Sequence, residues 1–306
     1  MATIILNGLD GGNLLAYLAA LGVLRTLSRC LPATRMNWVR SQGAWRPVVT
    51  SAGIETEEDL IRELDHQLRH DQEAAQAFNI GDNLTFKRDE YRKHVLSALN
   101  SLRQGKRTFA DFLASFGSEA YTNRSGQIQD TAFRTMSGAG HQHFLKTMRE
   151  LQQKVDSAAL KRSLFSPVWD YADSRLSLRW DPHDFRTHAL RATNPSSEET
   201  QTMWGANRLA VEALPLFPCI PTARGLVTTG FRSSEAEETE EMTITWPIWE
   251  GALDVGTVKS LLALPELQVA EPPRERLRAR GIVQLYRARR FTEGRYRNFT
   301  PAVELL

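Results

Sequence analysis

The run LLAYLAALGVLRTLSRC, Leu14 to Cys30, most constrains the fold. It predicts a helix with Leu14, Tyr17, Leu18, Leu21, Leu24 and Leu27 on one wide face. Ala16, Ala19, Ala20 and Gly22 fill the rest and let neighbours approach closely. A helix this apolar belongs at the centre of a domain, with other elements packed around it. Ile4–Leu6 before it reads as a short buried strand, and GLDGG as a turn, its glycines supplying positive φ. Asn13 is placed to cap the helix, and Pro32 to stop it.

Trp38 to Val49 reads as a hairpin turning near Ser41–Gly43. Thr56 and Glu57 open a polar helix through about Ala77, and further helices are predicted over Lys87–Leu102, Thr108–Phe116 and roughly 142–161, after a break at Gly138–Gly140. From Ser163 onward PVWDY, LSLRWDP, ALPLFPCIP and TITWPIW suggest strands and rigid turns. Leu176–Trp180 and Leu277–Arg289 read as strands, Gly205–Leu214 and Asp254–Leu262 as helices, and the acidic run 235–241 as a solvated loop. The expected class is α+β: a mixed sheet with an N-terminal strand–helix unit, residues 1–49 and 163–306 forming the core and 50–162 a mainly helical insertion.

With 42% hydrophobic and 24% charged residues, the chain reads as an ordinary globular protein. Its two cysteines, Cys30 and Cys219, make neither a metal cluster nor a disulfide framework, so a reducing, cytoplasmic setting is expected. The N-terminus lacks the basic leader of a signal peptide, and Leu14–Leu24 is too short to span a bilayer, so no membrane association is expected.

Charge is where function becomes legible. The protein carries a net +2, yet residues 274–297 hold nine arginines against two glutamates, a local +7. Arg278, Arg280, Arg287, Arg289, Arg290, Arg295 and Arg297 interleave with Tyr286, Phe291, Tyr296 and Phe299. Arginine forks suit phosphate oxygens, and aromatic rings can stack on unpaired bases. Arg175 and Arg179 share parity on the strand leading to Trp180, and Asn207 and Arg208 crowd a helix start beside Trp204. All are candidates for nucleic-acid contact.

Catalytic signatures are sparse. His141 and His143 have no companion cysteine or acid pair to complete a metal set. Asp170, Asp173, Asp181 and Asp184 with His183 offer enough acids for a nuclease, though the same spacing fits turn chemistry. GLDGGN lacks the lysine and hydroxyl of a nucleotide-binding loop; its backbone could meet a phosphate or simply turn. No GxSxG motif occurs. No catalytic residue, metal or cofactor is assigned.

Four segments, LNGLDGGNLLAYLAALGVLRTL, LRWDPHDFRTHALRATNP, WGANRLAVEALPLFP and TWPIW, resemble accessory or large-subunit-like proteins of type I-G (formerly type I-U) CRISPR systems. These include the family found beside, or fused to, the helicase–nuclease. The resemblance implies antiviral defence and a place beside an RNA-guided complex, with other effector subunits, guide RNA or target DNA, or the helicase–nuclease as partners. The expected function is therefore a non-enzymatic nucleic-acid-binding subunit. A protein–protein adaptor anchored by Trp204, Trp246 and Trp249, or a divergent metal-dependent nuclease, are the alternatives.

Overall fold

The computed structural model describes residues 2–136, 143–184, 200–233, 242–293 and 296–306, without the side chains of Asp184, Glu293 and Tyr296. The predicted break at Gly138–Gly140, the acidic run 235–241, and His141 and Arg295 lie outside these residues. The chain is α+β, with open antiparallel sheets and helices on one continuous hydrophobic core.

Helix α1 (Leu14–Cys30) is the hub. Asn13 caps it by accepting from the Ala16 amide at 3.1 Å, and every residue from Leu14 to Leu27 is buried. Across it lies a helix of residues Trp204–Ala213. The crossing is so close that a Cβ on Gly22 would stand 1.8 Å from the Leu209 carbonyl oxygen. Strands β1 (Ala2–Ile5), β2 (Arg35–Ser41) and β3 (Ala44–Ser51) form an antiparallel sheet in the order β1-β3-β2. Gln42 and Gly43 turn the hairpin with φ of 51° and 79°, the two positive values a tight two-residue turn requires.

After β3 come α2 (Glu57–His70), α3 (Gln72–Phe78), α4 (Arg88–Arg103), α5 (Thr108–Phe116), the hairpin β4 (Gly117–Thr122) and β5 (Ile128–Asp130), α6 (Phe144–Lys154) and α7 (Ser157–Phe165). The single helix expected over 57–77 breaks at Asp71, whose carboxylate caps α3 through the Ala74 amide and also pairs with Arg29 of α1. The helix expected over 142–161 is likewise two, because Asp156 caps α7 through the Ala159 amide.

Two-residue strands β6 (Asp173–Ser174) and β7 (Gln201–Thr202) precede α8, the Trp204–Ala213 helix. A hairpin of β8 (Cys219–Thr222) and β9 (Gly225–Thr228) follows. The second main sheet runs β10 (Phe231–Ser233), β11 (Met242–Trp249), β12 (Ile282–Glu293), β13 (Tyr296–Phe299), with β14 (Val303–Glu304) also pairing β12. Between β11 and β12 come α9 (Val255–Leu262) and the short α10 (Arg274–Arg278). An aromatic cluster joins both sheets to the hub helix: Tyr17 stacks on Trp38 at 5.5 Å, Trp246 lies 5.8 Å from Tyr17, and Trp249 meets Trp38 edge-on at 5.9 Å.

Two predicted strands are corrected. Residues 176–180 form no ladder: Arg175 and Arg179 hold φ of 73° and 57°. Their neighbours bond to side chains and loops instead. The Leu178 amide donates to Asn207, Thr135 donates to the Leu178 carbonyl, and Trp180 Nε1 donates to the Phe133 carbonyl. In the 277–289 segment the strand begins at Ile282. Arg278 belongs to α10 and Arg280 to the turn ending at Gly281, whose φ is 78°.

Candidate nucleic-acid interface

Period-two alternation along β12 sends the arginine-rich segment in two directions. Arg287 and Arg289 take one face, and Tyr286, Ala288 and Arg290 the other. On the first face Arg287 acts as a clamp. Its Nε donates to Thr245 Oγ1 at 2.8 Å, and its two terminal nitrogens donate to the carbonyls of Leu267, Val269 and Ala270. Four of the five guanidinium donors are thus engaged. Burial, with Arg232 nearby, pushes its pKa below the usual arginine value. Arg287 therefore holds the loop after α9 and is withdrawn as a phosphate contact. Arg280 bonds Glu266 at 3.1 Å, and Arg276 approaches the same carboxylate at 3.8 Å, so this charge is partly neutralised. Arg278 is exposed, as is Arg289, whose backbone amide donates to Thr300.

The second face gathers arginines from three parts of the chain. Arg134, beyond β5, bonds Asp130 at 2.6 Å. Arg290 donates to the Arg134 carbonyl at 3.2 Å. Arg297 joins them: it and Arg290 both act on Asp130 electrostatically. Burial nevertheless outweighs all three arginines and leaves the Asp130 carboxyl above its ordinary pKa. Arg179 reaches Asn298 at 3.5 Å, the edge of hydrogen-bond distance; Asn298 pairs with Phe291, so its side chain alternates to the face opposite Arg290 and Arg297. Arg134 was not singled out from the sequence. Its spacing of four from Asp130 was visible, but nothing marked that loop as adjoining the C-terminal strands.

Other candidates lie in the interior. Asn207 is 0% exposed; its amide donates to Thr202 Oγ1 and the Met203 carbonyl while its oxygen accepts from Leu178. Arg208 is 1% exposed, bonds Glu212 at 2.7 Å and faces the Phe78 ring. Neither can touch a base or phosphate in this fold, and that expectation is corrected. Both sit on a helix whose other residues are nearly all apolar, so the Arg208–Glu212 spacing of four was the signal of a buried pair. Arg175 is exposed, on the irregular segment beside β7. The interleaved aromatics are also partly withdrawn: Tyr286 and Phe299 are core residues, and Phe291 is half-buried. The Tyr296 side chain lies outside the described residues. Trp246 and Trp249 are buried, which removes them as anchors for a partner; Trp204 is half-buried with its indole bonded to Ser174.

The GLDGGN loop spends its amides internally. Gly8 donates to Leu164, Gly11 to Trp45, Gly12 to Asp10 Oδ1 and Asn13 to the Asp10 carbonyl. Close packing, rather than the expected positive φ, explains Gly8 and Gly11: a Cβ would lie 2.5 Å from Ser163 O in the first case and 2.8 Å from Ile248 in the second. Three acids of the nuclease alternative, Asp170, Asp173 and Asp181, are similarly engaged. Asp181 is buried and accepts from Asn13, the His183 amide and Tyr171. Asp173 accepts from Arg162 and the Trp204 amide, and Asp170 from the Ala172 amide. His183 stacks on Tyr171 at 3.8 Å. Among the described residues no three histidine, cysteine or carboxylate groups are grouped to hold a metal ion, and no helix is long and apolar enough to cross a membrane. No protein-family model matches the chain, and no match to it was found among curated proteins.

Proposed function

We propose that the chain is a non-enzymatic nucleic-acid-binding subunit of an RNA-guided CRISPR effector complex, and that it grips phosphates with the cluster of Arg134, Arg290 and Arg297, and with Arg179 at the neighbouring Asn298, rather than with residues 274–297 as a whole. The observation that carries this reading is the gathering of Arg134, Arg290 and Arg297 around Asp130, from segments far apart in sequence, with Arg179 joined to the same strand β13 through Asn298. Exposed Arg175 and Arg289 are candidate secondary contacts. Each guanidinium has five donors, so a bond within the protein does not exhaust its capacity for a phosphate oxygen. The likeness of the four sequence segments to type I-G accessory proteins supports the biological setting. In such assemblies guide pairing reads sequence, and protein subunits hold backbones.

Binding to single-stranded DNA, duplex DNA and RNA, followed by fluorescence anisotropy across a salt series, tests the proposal. The expected result is an affinity that falls linearly with salt on a log–log plot, with a slope of about −0.7 per neutralised phosphate for single strands and about −0.9 for duplex. Absence of binding at low salt to all three, or tight binding indifferent to salt, overturns it.

A further inference from the structure

Helix α4 is anchored but under-covered. Tyr91 donates its hydroxyl to the Leu113 carbonyl at 2.7 Å, Lys87 reaches the Ser125 carbonyl at 2.6 Å, and the helix packs against α5 and β4. Yet of its sixteen residues only Tyr91 and Ala98 are buried. Beside that buried line Leu96, Leu99 and Leu102 stand 53%, 43% and 44% exposed. At about 100° per residue these three occupy one sector of about 120°, contiguous with the buried line. Isolated exposed leucines are ordinary; three on one helix face at i, i+3, i+6 make a stripe.

Charge identifies what the stripe suits. Residues 87–107 hold seven lysines and arginines against Asp89 and Glu90. Exposed Arg88, Arg92 and Arg103 fall in the same sector as the leucines. A second copy of this chain would set two cationic faces against each other. A bilayer would have to accommodate guanidinium groups among the very leucines it buries. Nucleic acid would satisfy the arginines and leave the leucines wet. An acidic amphipathic helix meets both demands, its apolar face on the leucines and its carboxylates on the arginines.

We infer that the Leu96–Leu99–Leu102 face of α4 docks an acidic amphipathic helix of a partner protein, at a surface separate from the arginine cluster.

The probe is a fluorescein-labelled peptide of about 20 residues, ~30 Å as a helix, with a leucine stripe flanked by glutamates. A matched peptide with lysines in place of the glutamates, and vesicles of phosphatidylcholine with phosphatidylserine, form the other arms. The acidic peptide is expected to bind. Affinity should fall about tenfold or more both in Leu96→Ser/Leu99→Ser/Leu102→Ser and in Arg92→Glu/Arg103→Glu, with circular dichroism and melting unchanged. These side chains are exposed, and the charge-reversal variant decides the matter should the leucine variant fold poorly. No binding of the acidic peptide, equal binding of the lysine peptide, preference for vesicles, or leucine-dependent dimerisation in sedimentation each overturn the inference.

Discussion

Two groups of arginines in this protein look alike in sequence and do opposite things. Arg25 and Arg208, on α1 and α8, are buried; both bond Glu212 at 2.7 Å, and they lie over the Phe112 and Phe78 rings. Arg179, Arg290 and Arg297 are half-buried, and Arg134 keeps 14% of its side chain exposed, at Asp130 and Asn298. In the first group the charge is neutralised by a carboxylate that is itself sealed from water, and the pair fixes how two apolar helices cross. In the second, positive charge outnumbers the Asp130 carboxylate and stays within reach of solvent. The lesson is that an arginine's role depends on whether folding surrounds it with apolar helix or leaves it on a sheet margin.

That contrast can be broken first in the interior. Glu212→Ala strands Arg25 and Arg208 in the core, and loss of one member of a buried ion pair costs about 3–5 kcal/mol. Urea denaturation should show that loss, and a change below about 1 kcal/mol would place the network outside the stabilising core. Gly22→Ala attacks the same crossing sterically, because its methyl meets backbone at 1.8 Å. Overpacking of this kind costs about 1–3 kcal/mol or more, read from the same denaturation curves.

Arg287 lies between the two groups, and its replacement sharpens the boundary. Arg287→Ala leaves the carbonyls of Leu267, Val269 and Ala270 to water, at a cost of about 0.5–1.5 kcal/mol. Amide hydrogen exchange should speed up in residues 264–271, while nucleic-acid affinity changes little. A large affinity loss with an undisturbed loop would return Arg287 to the contact surface.

The smallest effect concerns reactivity. Burial raises the Cys30 thiol to about 11, helped by a bond to Glu63, and the Cys219 thiol to about 12. The thiolate fraction at pH 8 then falls at least about 100-fold below that of an unperturbed thiol, and alkylation slows accordingly. Iodoacetamide labelling followed by mass spectrometry should modify both residues fully only after denaturation, with the half-buried Cys30 reacting ahead of buried Cys219.

Much of the fold was legible because periodicity and caps are local. The apolar run 14–30 with Asn13, the turn near Ser41–Gly43 and the strand in TITWPIW all stand where local rules put them. Residues 176–180 did not, because their backbone partners, Thr135 and Asn207, come from remote loops and helices. The hairpin β4–β5 passed unread for a related reason: its three-residue second strand is too short to show alternation. The candidate site was legible in charge but not in direction. Arg287 and Arg290 are three residues apart on one strand, so alternation places them on opposite faces, and only tertiary structure shows a carbonyl-lined loop on one side and Arg134 on the other.

The most direct test compares two sets of equal charge taken from the basic regions of the chain. Arg179→Gln/Arg290→Gln/Arg297→Gln removes three charges from the cluster, and Arg276→Gln/Arg278→Gln/Arg280→Gln removes three from α10 and the turn after it. In salt-series anisotropy on nucleic acid the cluster variant should lose most of its affinity and its log–log slope should shrink by about 2 to 3, while the α10 variant stays close to the parent. Equal losses from both variants, or none from the cluster variant, would contradict the assignment of phosphate binding to the arginines gathered at Asp130 and Asn298.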